Sequence, residues 1–136
     1  MAFMVLTAQF LSLNATDLST YTKKAELTVE VEEKDVTTYG SLGWKVVLGG
    51  IKSGGLALEF QQDVAAAAID SIMWPLLGTV VAFETRATQS AVGTSNPKYT
   101  GNVLVKGWNP ISGSVGDDAK VSVSYPTSGA VTRATA

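Results

Sequence analysis

The chain has 136 residues, 46% of them hydrophobic and only 16% charged, with a formal net charge of −2. It contains no histidine and no cysteine. That excludes disulfides, Cys/His zinc sites, c-type haem, Ser-His-Asp and Cys-His catalysis and imidazole pH sensing.

A chain of this length reads as one domain, residues 1–136, and buries roughly two-thirds of its extended surface. The charged share falls below the typical ~25%, and Thr, Ser, Gly, Ala and Val fill the gap. This points to broad, flat surface rather than a solvated enzyme exterior. No general basic footprint for nucleic acid exists.

Residues 1–6 are apolar but lack the basic start and the length of a secretory signal. Residues 9–13 read as a short strand, and residues 14–17 as a turn cluster. The clearest alternation follows over residues 25–33. Leu27, Val29 and Val31 fall on one face, and Glu26, Thr28, Glu30 and Glu32 on the other. Period two with β-branched residues predicts a half-buried strand. Residues 37–43 are loop-like, and residues 44–48 fit a short strand or a turn of helix. Residues 51–55 read as a turn that launches a second alternation, with Leu56, Leu58 and Phe60 opposite Ala57, Glu59 and Gln61.

Asp63 followed by the Ala-rich residues 64–73 predicts the one helix. Its apolar stripe is Ala65, Ile69, Ile72, Met73 and Leu76, with Trp74 placed in the core. Pro75 ends or kinks it. The longest apolar stretch, residues 64–77, is interrupted by Asp70 and Pro75 and is too short to span a bilayer. No membrane anchor is expected. Residues 79–88, 98–108 and 119–125 read as three further strands. Residues 127–136 read as a C-terminal tail ordered only when a partner pins it. The expected fold is mainly β: an antiparallel β-sandwich or rolled barrel with one α-helix packed against it.

Few residues could carry chemistry. Glu30 and Glu32 share a strand face, as a carboxylate pair would, and also as a solvated or interface face would. Asp117-Asp118 has the donors for a hard cation but no ligand-dense loop. Residues 49–55 are Gly-rich but lack Walker spacing and precede a strand, so a hairpin turn is the better reading. Asn14-Ala15-Thr16 matches a glycosylation pattern and equally an Asx-type turn. Trp44 and Trp108 sit near loops and suit either core packing or an interface. No catalytic residue, cofactor or metal site is expected, and the chain does not read as an enzyme.

Several phrases, in order, carry a resemblance. They are Leu11-Ser-Leu-Asn-Ala-Thr-Asp-Leu-Ser-Thr-Tyr21, Ala25-Glu-Leu-Thr-Val-Glu-Val-Glu-Glu-Lys-Asp-Val-Thr37 and Gly55-Leu-Ala-Leu-Glu-Phe-Gln-Gln-Asp63. The Ala-rich segment into Trp74-Pro-Leu-Leu-Gly78, then Asn96-Pro-Lys-Tyr-Thr-Gly101 and Ala130-Val-Thr-Arg-Ala-Thr-Ala136, complete the set. Together they resemble the tail tube (major tail) proteins of long-tailed bacteriophages, over almost the whole chain.

The resemblance implies a β-sandwich with a flanking helix and a homo-oligomer of stacked hexameric rings. Those rings form the conduit for DNA ejection, with a long loop reaching the neighbouring ring. It implies tape measure protein and other tail proteins as partners, genomic DNA passing without specific binding, a place in the virion and synthesis in the host cytoplasm. Glu26, Glu30, Glu32 and Glu59 become candidates for an acidic lumen face. Tyr39, Trp44, Trp108, Val131 and Arg133 become candidate contacts between subunits, and removal of residues 131–136 is expected to weaken stacking without unfolding the subunit. The competing reading is a monomeric β-sandwich binding or capsid decoration module.

Overall fold

The structure, a computed structural model, describes residues 3–136; Met1 and Ala2, the start of the apolar 1–6 stretch, lie outside the described residues. It is mainly β, with antiparallel sheets packed face to face. The strands are β1 (Phe10–Leu13), β2 (Thr16–Asp17), β3 (Thr22–Asp35), β4 (Val47–Gln61), β5 (Val80–Arg86), β6 (Lys98–Leu104), β7 (Lys120–Pro126) and β8 (Thr132–Ala134). One sheet has the order β2-β1-β5-β6-β8 and the other β3-β4-β7.

Alternation explains the core. Leu11 and Leu13 on β1, Val81 and Phe83 on β5 and Val103 on β6 point inward from the first sheet. Leu56, Leu58 and Phe60 on β4 and Val121 and Tyr125 on β7 point inward from the second. Period two puts one face of each strand in the core and the other outside. Asn14 and Ala15, both at positive φ, close the β1–β2 hairpin, as a two-residue primed turn requires.

Four expectations are corrected. The helix spans only Ile69–Met73 (α1), continued by a 3-10 turn at Trp74–Leu76. Asp63 Oδ1 does accept from the Ala65 N–H at 3.0 Å, but Ala67 takes φ +62° and breaks the run. Ala65, Ala66 and Ala67 are exposed. A short alanine run with nothing to bury cannot repay helix nucleation. Only Ile69 and Met73 are fully buried, and Trp74 is 57% exposed rather than in the core.

Second, residues 51–55 form no turn; they lie inside the 15-residue β4. Its glycines serve close approach. A Cβ on Gly54 would stand 2.8 Å from Thr28 O, and one on Gly49 would stand 3.0 Å from Val31 Cγ1. Between Val31 and Glu33 the register shifts, because β4 carries one more residue than β3, a bulge.

Third, residues 44–46 belong to the connecting loop, and β4 begins only at Val47. Fourth, the tail is tied to its own subunit. Thr127 N–H donates to Gly54 O, Ser128 N–H donates to Asn102 O, and Val131 packs against the core. β8 then pairs with β6, from Thr100 opposite Thr132 to Lys98 opposite Ala134. Removing residues 131–136 therefore strips an edge strand and a core contact from the subunit itself.

Gly101 makes this crossing fit. A Cβ there would meet Phe83 Cε1 at 3.0 Å and Ala130 O at 3.1 Å. Gly101→Val is expected to destabilise the subunit by about 1–3 kcal/mol through overpacking, measured by urea denaturation. Wild-type stability in that variant would show that the tail crosses elsewhere.

Candidate assembly surfaces

The outer face of the three-stranded sheet carries the acidic alternation. Register aligns Glu26 with Ala57 and Ser124, Lys24 with Glu59 and Ser122, and Glu30 with Ser53. Glu26, Glu30, Glu32 and Glu59 thus share one face, opposite the core. Small residues keep that face shallow. Glu26, Thr28, Glu30, Ser53, Gly55 and Ser124 border an open depression of ≈ 340 Å³.

Lysines temper the charge. Lys24 Nζ lies 3.5 Å from Glu26, Lys23 Nζ lies 3.8 Å from Glu59, and Lys34 pairs with Glu32. Glu30 has no ion-pair partner among the described residues. It is the bare acid of the face.

Beyond Leu27 and Leu56, β3 and β4 leave the core and continue as a two-stranded arm. From Val29 to Asp35 every β3 residue is exposed. Val29 and Val31 stay on the side that faces the core lower down, yet they are 54% and 52% exposed. Ile51 and Leu48 are exposed as well.

The arm ends in residues 36–46, a polar-pinned loop. Thr37 Oγ1 accepts from the Val46 N–H at 2.9 Å, and Asp35 Oδ1 accepts from the Thr37 N–H at 2.9 Å. Hydrogen bonds to Asp35 from the Thr37 hydroxyl and then the Thr37 N–H hold its carboxyl below the usual range. A 3-10 turn, Tyr39–Ser41, presents Tyr39 wholly to solvent, with Leu42 and Trp44 beside it in sequence and also exposed. An isolated hairpin with this much apolar surface is marginal in water.

The other candidates separate from this loop. Trp108 stacks on Phe60 with ring centroids 6.0 Å apart, and its indole N–H donates to Asp70 Oδ1 at 3.0 Å. It anchors α1 within the subunit. Tyr125, buried in the same region, donates its hydroxyl to Gly107 O at 2.7 Å, and burial pushes its phenol up. Val131 is half-buried in the core, while Arg133 is exposed on β8 opposite Tyr99.

The alternation did not reveal the exposed Val29, Val31 and Ile51, which look like core residues in sequence. A second exposed group, Trp74, Leu77 and Val80, follows α1. Ile111 and Val115 are exposed in the loop before β7. The edges also matter: β3 and β7 flank the three-stranded sheet, and each leaves one side unpaired within the subunit.

Among the described residues no helix is long and apolar enough to cross a membrane, and no cluster of His, Cys, Asp or Glu could hold a metal ion. No family model and no curated protein matches the sequence. Solved structures do match the fold. A chain in the virion of a native gene transfer agent particle aligns with TM-score 0.69 and 17% identity, over 90% of this chain and 94% of that one. A chain in the tail of an empty gene transfer agent particle, of C6 symmetry, aligns with TM-score 0.64 and 17% identity, over 82% and 81%. The chain therefore shares its fold with chains in the virion and the tail of gene transfer agent particles.

The two loop-side tryptophans should behave differently. Trp44→Ala is expected to change subunit stability by no more than about 0.5 kcal/mol. Trp108→Ala is expected to cost about 3 kcal/mol, because it empties a packed site. Guanidinium denaturation of the dilute protein checks both.

Proposed function

We propose that this chain is a tail tube subunit that assembles into stacked hexameric rings and serves as the conduit for DNA ejection. One observation carries the reading: the three-stranded sheet has two unpaired edges, a shallow polar outer face and an apolar arm that outruns its own core. A monomer has no use for that arm. In a ring, the β3 edge of one subunit meets the β7 edge of the next, so the sheets join side by side and the exposed edges disappear. The likeness to a C6 tail supports six copies.

The outer face then lines the lumen. Glu26, Glu32 and Glu59 bring their own lysines, and Glu30 adds one bare negative charge per subunit. Six copies make a ring of acids that repels phosphate and gives it nothing to hold, the reverse of a binding patch. DNA passes without specific binding. The same lumen accommodates the tape measure protein before ejection, and the ends of the tube meet other tail proteins. The arm loop with Tyr39 and Trp44 reaches a subunit of the next ring, where flat surfaces with few charges avoid buried unpaired ions. The role is structural, without a reaction to catalyse. The subunit is made in the host cytoplasm and ends in the virion.

Negative-stain imaging of the concentrated protein tests this. Tubes or stacked sixfold rings are expected. Trp44→Ala combined with Tyr39→Ser should give folded subunits that no longer stack. A lasting wild-type monomer would instead favour a binding or decoration module. In the assembled state, Glu30→Lys is expected to leave tubes intact and to make them retain short DNA at low salt. That retention should fall steeply as salt rises. Retention unchanged from wild type would place Glu30 outside the lumen.

A further inference from the structure

The segment Phe3–Leu6 stands apart from the rest of the molecule. It lies in no helix or strand and makes no backbone hydrogen bond among the described residues. All four side chains are apolar and exposed, Phe3 and Val5 by 88% and 85%. Nearby, where the two sheets part, runs an apolar groove of ≈ 440 Å³ lined by Leu27, Val29, Ala87 and Tyr99 among others. Arg86 also borders it, but its charge is occupied. Its Nε lies 3.0 Å from Glu84 Oε2, and its guanidinium covers the Phe10 ring at 3.9 Å. The groove offers no free charge, and Val29 and Val31 extend its apolar wall onto the arm.

We propose that Phe3–Leu6 of one subunit lies in this groove on an adjacent copy. The subunit's own segment does not fill it. Of the segment only Leu6 borders the groove in its own subunit, and Val29 remains more than half exposed. An uncharged apolar segment and an apolar groove without a free charge on the same chain, both largely open, suit one another between copies. The contact is small. Four side chains bury well under the ~800 Å² per partner of a stable two-body interface. The segment therefore cannot hold a dimer by itself. It acts as a clasp inside a repeating assembly in which every subunit gives one segment and receives one, a head-to-tail contact. In that respect it rests on the assembly proposed above, though not on the assembly being a tube.

The chain has no cysteine, so single thiols can be placed cleanly. Val5→Cys and Val29→Cys are made in separate, differently tagged chains; both positions are exposed, so folding is undisturbed. The two are mixed, assembled at high concentration and oxidised. The expected product is the mixed Val5–Val29 disulfide, about tenfold over the pair V5C with E30C, whose second thiol lies on the opposite face of β3. Equal yields for the two pairs would overturn the clasp. So would a doubly substituted V5C/V29C chain that closes only within itself on dilution. Imaging the same samples separates the readings: tubes without the mixed disulfide overturn the clasp alone. The mixed disulfide without tubes upholds the clasp and removes the tube.

Discussion

A β-ribbon two strands wide has no core of its own and survives only against something else. In this chain β3 and β4 pair from Thr22 opposite Phe60 to Asp35 opposite Val47. The opposing five-stranded sheet covers only the part around Ala25, Leu27, Leu56, Leu58 and Phe60. The mismatch between hairpin length and core length sets the rest of the surface. It leaves Val29, Val31, Ile51 and the Tyr39–Trp44 loop uncovered, and it leaves β3 a long unpaired edge. Each of these is a liability for a solitary protein and an attachment point for an assembled one.

Charge placement follows the same constraint. Where a strand carries a run of like charges, each ion needs a nearby partner to limit their mutual repulsion. The ion pairs here are mostly short-range, along one strand or across to the neighbouring one: Lys24 with Glu26, Lys34 with Glu32, Lys23 with Glu59, Arg86 with Glu84. The exposed pairs among them add little stability. Their effect is to flatten the local field, so that a nominal run of acids between Glu26 and Asp35 presents far less charge than its composition suggests. Glu30 is the position where this neutralisation stops.

Much of this was legible in the residues. Period two fixes which side chains of one strand share a face, and it put Glu26, Glu30 and Glu32 together; only the register between β3 and β4 brings Glu59 to the same side. What period two cannot encode is where the opposing sheet ends. Val29 and Leu27 look alike in sequence, yet only Leu27 packs on the core. The helix failed for a related reason. Alanine favours helix locally, but Ala65, Ala66 and Ala67 had no apolar partner to bury, and tertiary context overrode propensity. Trp74, expected in the core, lies outside it, while Trp108, open between core and interface, packs on the core, because a large ring carries no sign of which neighbour will cover it. Trp108 found Phe60 and Asp70; Trp74 followed the chain out past Pro75. The glycines of β4 signalled tight approach, and approach can mean a turn or a neighbouring strand.

The uncovered surfaces are also unlike one another. The β3 edge is long and flanked by the arm, and the β7 edge is short and runs into the crossing at Thr127. The groove is concave, and the Phe3–Leu6 segment lies outside every helix and strand. A twofold dimer needs a patch that complements itself, residue against the same residue. The contacts proposed above instead each join two unlike surfaces of the chain. Contacts between unlike surfaces repeat with a fixed rotation, and they end only by closing into a ring or by continuing as a filament. In the assembly proposed above, ring closure uses the sheet edges. The arm runs beyond its own core; in that proposal it stays free after closure, and growth along the axis is what the length mismatch in the hairpin would supply.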